Sequence, residues 1–366
     1  MKIVSIESFN RSSLIGLVRV RTDDGAEGWG QMAPYYADQS ANVLHAIVAP
    51  YFIDKDPWNW EAVVAEFTRK SHKHWGGLLW RALAGVDTAV YDLLGKATGR
   101  PVYQLLGGAV RTEIPVYGSA MSRKTTAEEE ADRMQRLRDE CGFRAFKVRI
   151  ANVMGQDVDV WPGRSEQMVT TVRERLGDDV VLHADANGGY SEPEAIRMGR
   201  VLEDLRFGHF EEPCPYDDIE SISRVSTALD IPIAGGEQDS SLPHIHRMIN
   251  MHVVDIIQPD IGYIGGIARA RKVMQMAEAA GMTATPHCAN MSMLQVFTLH
   301  LAASQPSATA FQEWSIEERG YFDGIYSPLP EVVDGKVQVS DAPGWGLEIL
   351  PEFLGSAERA VTTTSR

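Results

Sequence analysis

The chain has 366 residues, 44% of them apolar and 23% charged, and a net charge of −15. That length exceeds a small single domain, so one large α/β barrel with an accessory domain is expected. The acidic balance argues against nucleic acid or an anionic membrane as a partner, but not against an anionic small molecule, because a local metal ion outweighs the global field.

Cys141, Cys214 and Cys288 are far apart and form no CxxC pair, which predicts a reduced, intracellular protein without a disulfide framework. The opening MKIVSIESFNRSS has no apolar signal region, and no apolar run approaches 18 residues. A cytoplasmic location without a membrane span is expected.

Residues 1–31 alternate as strands do, with Asp23, Asp24 and Gly25 as the turn of a hairpin. Helical patterns follow over 38–50, 57–70 and 77–98. In the last, Leu79, Leu83, Val86, Val90 and Leu93 fall at helical spacing and Gly99-Arg100-Pro101 stops the run. A sheet followed by helices predicts an N-terminal α+β domain over 1–112.

From Ile114 the pattern changes to strand, helix, strand, helix. Strands are predicted at 114–119, 143–150, 180–185, 207–212, 231–236, 254–258, 282–286 and 309–314, with helices between most of them, including 126–140 and 193–204. Eight such strands, without a Gly-rich dinucleotide turn after the early ones, fit a (β/α)8-type barrel over 113–320 better than a doubly wound sheet. Residues 321–366 are less regular: GKVQVS reads as a strand, APGWGLEI as a loop and SAERAVTTTSR as a frayed end.

Acidic residues close three successive strands: Asp185, Glu211 and Glu237, spaced 26 residues apart. Converging carboxylates repel one another unless something positive sits between them. All-oxygen ligands suit a hard cation such as Mg²⁺, which keeps positions open for water and substrate. Any one of them alone would read as a solvated or capping residue.

The same pitch continues through Asp260, His287 and Glu313. A carboxylate beside a histidine fixes the imidazole tautomer and raises its basicity, giving a general base; the competing reading is a helix-capping Asp260 and an incidental His287. Residues two apart on a strand share a face, so His183 and His209 lie a layer below Asp185 and Glu211 as core residues. On the second barrel strand, Lys147 and Arg149 either face the substrate or form a surface pair. Arg149 is a poor base; Lys147 would serve if its pKa were lowered. Asn187 either orients a ligand or makes a turn.

With these residues in hand, the chain resembles the enolase superfamily, and within it the mandelate racemase subgroup of acid-sugar dehydratases and racemases. The resemblance rests on ALAGVDTAVYDLLGKATGRPVYQLLGG, the KxR at Lys147–Arg149, the DAN at 185–187, the EEP at 211–213, the GGE at 235–237 and the QPD…PH pair at Asp260 and His287. It implies a modified TIM barrel with an N-terminal α+β cap, completed by 321–366 packing back on that cap. It also implies Mg²⁺ on Asp185, Glu211 and Glu237, holding the carboxylate of a small substrate, and His287 paired with Asp260 as the base. The resulting ene-diolate would be stabilised by Mg²⁺, a strand-two cation and Glu313. Many members of this subgroup carry KxK with the second lysine as a base on the opposite face; here that position is Arg149. Dehydration of a hydroxy acid to a 2-keto acid is therefore expected ahead of racemisation or epimerisation. Cap segments near Ser12–Ile15, Gln31–Gln39 (with Tyr35 and Tyr36) and 71–77 are expected to set specificity; Tyr35, His72, His74 and Trp75 either contact substrate or are exposed loop residues without a role. A homo-oligomer is expected.

Overall fold

The computed structural model describes residues 1–318 and 320–364. The first three strands, β1 (Ile3–Arg11), β2 (Ile15–Thr22) and β3 (Glu27–Gln31), form an antiparallel meander. The long helix Gly77–Thr98 lies across it, burying Leu79, Leu83, Val86, Val90 and Leu93. That helix sits almost directly on the backbone of β3. A Cβ on Gly28 would come within 2.2 Å of the Ala89 carbonyl, and one on Gly30 within 2.4 Å of the Gly85 carbonyl, so glycine sets the sheet-to-helix spacing there.

Eight parallel strands follow: β4 (Glu113–Ser119), β5 (Ala145–Arg149), β6 (Val181–Asp185), β7 (His209–Glu211), β8 (Ile233–Gly235), β9 (Ile256–Ile257), β10 (Thr283–Ala284) and β11 (Gln312–Ser315). They are hydrogen-bonded in sequence order from β4 to β10. The ring closes because β11 pairs with β4 and Ala284 bridges Ala308. Helices join each strand to the next, as parallel pairing requires a crossover. Local chemistry starts several of them: Thr126 and Glu129 make a reciprocal capping box at the helix Ala127–Cys141. The observed strands are shorter than the predicted apolar runs by one to three residues at most ends, because those runs continue into the turns that carry the functional side chains.

The C-terminal segment divides. Lys336–Gln338 pairs with the start of β4, whereas Glu358–Thr363 pairs antiparallel with β1, from Ser5↔Thr363 to Asn10↔Glu358. The expectation of a frayed end is thus corrected. The polar sequence ERAVTT is held by six ladder partners on the edge of the cap sheet, and Arg359 pairs with the buried Glu7; residues 365–366 of that expectation lie outside the described residues. Among the described residues no helix is long and apolar enough to cross a membrane.

Candidate active site

Strand register decides which side chains meet. Arg149 stands opposite Asp185, and Asp185 opposite Glu211; one layer down, Lys147 stands opposite His183, and His183 opposite His209. The two imidazoles of that lower layer stack at 3.8 Å with Tyr117 edge-on beneath the carboxylates. On the far side of the barrel, Asp260 and His287 form a direct parallel bridge just past β9 and β10. Lys147, Arg149, Asp185, Glu211, Glu237, Asp260, His287 and Glu313 are each no more than 5% exposed. Eight ionisable groups buried together must be mutually paired.

The pairing is specific. Lys147 Nζ lies 2.7 Å from Glu211, 2.8 Å from Glu313 and 3.4 Å from Asp185. Burial alone would lower its pKa, but the Glu211 and Glu313 charges outweigh that and hold it well above the usual lysine value. The same ammonium drives Glu211 well below the carboxylate range against its burial, with Gln258 Nε2 donating to Glu211 at 3.0 Å. Arg149 Nη1 lies 2.8 Å from Asp185 Oδ2. Burial nevertheless raises the Asp185 pKa, Arg149 opposing and Glu211 adding to it. Glu237 is pushed up to about 7 by burial, partly opposed by His287 and reinforced by the Glu211 and Asp185 charges. Ser119 donates to Glu313 at 2.8 Å and the Cys288 N–H donates to its other oxygen at 2.8 Å.

His287 Nδ1 is 2.7 Å from Asp260 Oδ2, which assigns the proton to Nδ1 and leaves Nε2 facing inward, 3.0 Å from Glu237 and 3.7 Å from Glu313. Burial opposes a charge on this ring, but Glu237, Glu313 and Asp260 together raise its pKa well above the ordinary value. Asp260 also caps the short helix Ile261–Ile264, accepting from Tyr263 N at 2.8 Å through Oδ1. One oxygen of Asp260 thus caps the helix and the other meets His287.

The donor chemistry fits a hard cation. The three candidate ligands offer only oxygen, and Asp185 Oδ2 and Glu237 Oε2 are buried oxygens met by ion pairs, from Arg149 and His287 respectively. Among the described residues, no three His, Cys, Asp or Glu side chains close into a coordination shell: Lys147, Arg149 and His287 stand against the three carboxylates.

The peripheral residues divide. Asn187, left-handed at φ 51°, donates its N–H to Asp185 Oδ1 at 2.8 Å and its side-chain amide to Glu212 at 2.9 Å. Here the turn geometry is what orients the carboxylate. Tyr35 is 59% exposed with a left-handed backbone. His72 turns back on the preceding helix, with Nδ1 3.1 Å from the Arg69 carbonyl. Trp75 donates to the Thr68 carbonyl at 2.9 Å and borders a cavity of about 440 Å³ at the seam of cap and barrel, with Ser240 and Arg269. Three further residues were not singled out in the sequence. Glu212 is buried and left-handed at φ 41°. Arg123 reaches Asn187 at 3.4 Å, and Tyr263 lies beside His287. The doubled acid of EEP pointed to the first of these; nothing in the spacing pointed to the others.

A capped barrel of eight parallel strands, with carboxylates on successive strand ends facing a lysine and an Asp–His pair, is the architecture of the enolase superfamily. The chain belongs to the mandelate racemase / muconate lactonizing enzyme family: residues 2–107 match its N-terminal domain, and residues 129–353 match the enolase C-terminal domain-like family. It is 30% identical over 343 residues to arabinonate dehydratase of Saccharolobus solfataricus, an alignment covering 90% of this chain and 87% of that protein. The crystal structure of a proposed racemase from Roseobacter denitrificans superposes with a TM-score of 0.96 at 46% identity, covering 100% of both chains. A mandelate racemase/muconate lactonizing protein from Paracoccus denitrificans complexed with magnesium superposes at 0.91 with 30% identity, covering 100% of this chain and 99% of that one.

Proposed function

We propose that the protein is a Mg²⁺-dependent hydro-lyase that dehydrates a hydroxy acid of the acid-sugar type to a 2-keto acid. The observation that carries this reading is the asymmetry across the mouth. His287, oriented by Asp260 at 2.7 Å, turns its other ring nitrogen into the mouth, 3.0 Å from Glu237, whereas the opposite side presents Lys147 among three carboxylates and Arg149 against Asp185. One side carries an imidazole, the side chain whose ordinary pKa lies nearest neutrality; the Glu237 and Glu313 charges, which raise it here against its burial, would be offset by a cation on Glu237. The other carries two cations whose pKa values are raised, so Lys147 is read as an electrostatic group and not as a base.

A divalent cation held by Asp185, Glu211 and Glu237 would supply Lewis acidity toward the substrate carboxylate. His287 Nε2 takes the proton α to that carboxylate, and Asp260 stabilises the imidazolium through Nδ1–H. The electron pair of the broken C–H bond moves into the carboxylate, where Lys147 and Arg149 face the growing negative charge. Glu313 anchors Lys147 at 2.8 Å. The electron pair then returns to form the C–C double bond as the β-hydroxyl leaves. It departs as water with the proton carried by His287, and the enol tautomerises to the 2-keto acid. Asn187 holds Asp185, and Tyr35 and Trp75, both exposed on the cap, are the candidate substrate contacts; His72 is the weakest candidate, because its ring turns back to the preceding helix. A cytoplasmic, homo-oligomeric enzyme belongs to the same reading.

The test is a panel of aldonates, aldarates and hydroxylated amino acids incubated with Mg²⁺, with 2-keto products trapped by semicarbazide. Formation of a 2-keto acid from one of them supports dehydration. The second reading, a racemase or epimerase, draws on the Roseobacter similarity; in D2O it would give α-deuterium in substrate and epimer without any keto product, and that result would replace the first.

A further inference from the structure

Tyr263 stands where the cap, the barrel and the candidate base meet. It is the third residue after Asp260, and its N–H is one of the two groups that fix that carboxylate, at 2.8 Å from Oδ1. Its ring lies 6.4 Å from the His287 ring, centroid to centroid, at 36°. The outer face is covered by a cap residue: the Arg81 guanidinium sits 4.0 Å from the ring centroid and donates to the Pro34 carbonyl at 3.1 Å. A stacked guanidinium tethered at its far end holds an aromatic ring in one orientation. Yet the phenol, half-buried, has no hydrogen-bond partner among the described residues.

Unlike the Tyr117 hydroxyl, the Tyr263 phenol is not among the fully buried unpartnered oxygens, so it stays open to solvent or to a ligand. Phenylalanine would give the same stacking on Arg81 and the same contact with His287. The oxygen is therefore the part of Tyr263 that packing leaves unexplained. Burial, with the Asp260 and Glu237 charges nearby, pushes its pKa further up, partly opposed by Arg81. The group stays a neutral O–H, able to donate one hydrogen bond and accept another.

We propose that Tyr263 is a specificity-determining residue whose phenol donates a hydrogen bond to a hydroxyl of the substrate on the His287 side of the mouth, and that Arg81 is the positioning residue that holds the ring for it. This rests on the hydroxy-acid reading above and narrows it: the preferred substrate carries an oxygen on the face from which His287 takes the proton. Tyr35 follows Pro34 on the cap loop, so that loop and the base are joined through Arg81 and one ring.

The test uses the full chain with Mg²⁺ and the panel above, extended with singly deoxygenated members. Tyr263→Phe is expected to lower kcat/KM about tenfold or more on the best fully hydroxylated acid, because a buried substrate hydroxyl loses its partner. The wild-type to variant ratio is expected to fall to about one for one particular deoxy acid, a selectivity that a merely structural tyrosine would not produce. Arg81→Met should lower kcat/KM in the wild-type background and add little to Tyr263→Phe, with thermal unfolding midpoints recording whether the cap still docks.

Equal kcat/KM for Tyr263→Phe and wild type across the panel, or a loss that is the same for every acid, overturns the assignment and leaves dehydration standing. If wild-type protein neither binds nor turns over any member, the dehydratase reading falls and the Tyr263 assignment falls with it.

Discussion

Asp260 and His287 are joined twice: their backbones form a parallel bridge, and Oδ2 of the one lies 2.7 Å from Nδ1 of the other. The other oxygen of Asp260 caps a helix at 2.8 Å, so the carboxylate cannot turn without losing that cap. Asp260→Asn can keep the cap through its carbonyl oxygen, but then offers N–H to His287 Nδ1 and stabilises the wrong tautomer. We expect a loss of roughly 10²–10⁴ in kcat with a thermal midpoint near wild type. His287→Asn should remove both 2-keto acid formation and α-proton exchange in D2O. Product formation by His287→Asn at the wild-type rate would sink the assignment of the base.

The cluster of Asp185, Glu211 and Glu237 predicts stabilisation by Mg²⁺. A cation that binds the folded chain alone, at one hundred times its dissociation constant, adds about 2.7 kcal/mol, read as a rise in thermal midpoint. Chelation should abolish both this rise and the activity. In Asp185→Asn the Mg²⁺-dependent rise should be lost. A full rise in that variant would move the cation elsewhere.

Arg149→Lys restores a side chain that can lose a proton on the face opposite His287. We expect the variant to incorporate deuterium from D2O into recovered substrate or its epimer faster than wild type, with 2-keto acid formation reduced. No change in exchange would show that the opposite face does not govern the outcome.

Docking of the cap on the barrel depends on Gly266. Asp87 of the cap helix is fully buried and accepts from Trp60 Nε1 at 2.8 Å and from Ile267 N at 2.5 Å. It can do so because Gly266 is left-handed at φ 107° and bare; a Cβ there would lie 2.2 Å from Asp87 Oδ2. Gly266→Ala combines backbone strain with overpacking and should destabilise by roughly 2–4 kcal/mol, measured by denaturant unfolding. A midpoint unchanged from wild type would show that the seam yields at no cost.

His300, buried against Trp345 and hydrogen-bonded by Tyr103 N at 3.3 Å, has its pKa pushed down to about 3 by burial. Above pH 6.5 the ring is neutral in both folded and unfolded chains, and its contribution is complete. Below that, the unfolded chain takes up a proton the folded chain refuses. Stability should then fall by roughly 1.4 kcal/mol per pH unit toward pH 3 from this group alone. His300→Gln, which keeps an acceptor for Tyr103, should show a shallower loss between pH 6.5 and 5. An identical slope would mean the ring is not buried neutral.

Much of this site is legible in the sequence, and for one reason. A strand that ends at a polar residue in a regular βα repeat has its end placed by the repeat itself, so Asp185, Glu211, Glu237, Asp260, His287 and Glu313 can be read off the pitch. The long cap helix is equally legible from its apolar period. The ERAVTT strand is not, because its stability comes from a partner edge at the other end of the chain, from Ser5 to Asn10, with nothing local to announce it. Asp260 reads as either a cap or a histidine partner until the fold places one oxygen on the helix and the other against His287.

What only the tertiary structure decides is which charges face which. The sequence places Lys147 on a strand; the barrel places its ammonium among three carboxylates and so fixes its charge. Likewise, Tyr263, Arg81 and Pro34 come from three separate segments, and no periodicity links them. Strand pitch is a local property that one chain segment can encode. Pairing across the mouth, and the docking of the cap on the barrel, depend on packing between segments far apart in the chain, and appear only once the fold has closed.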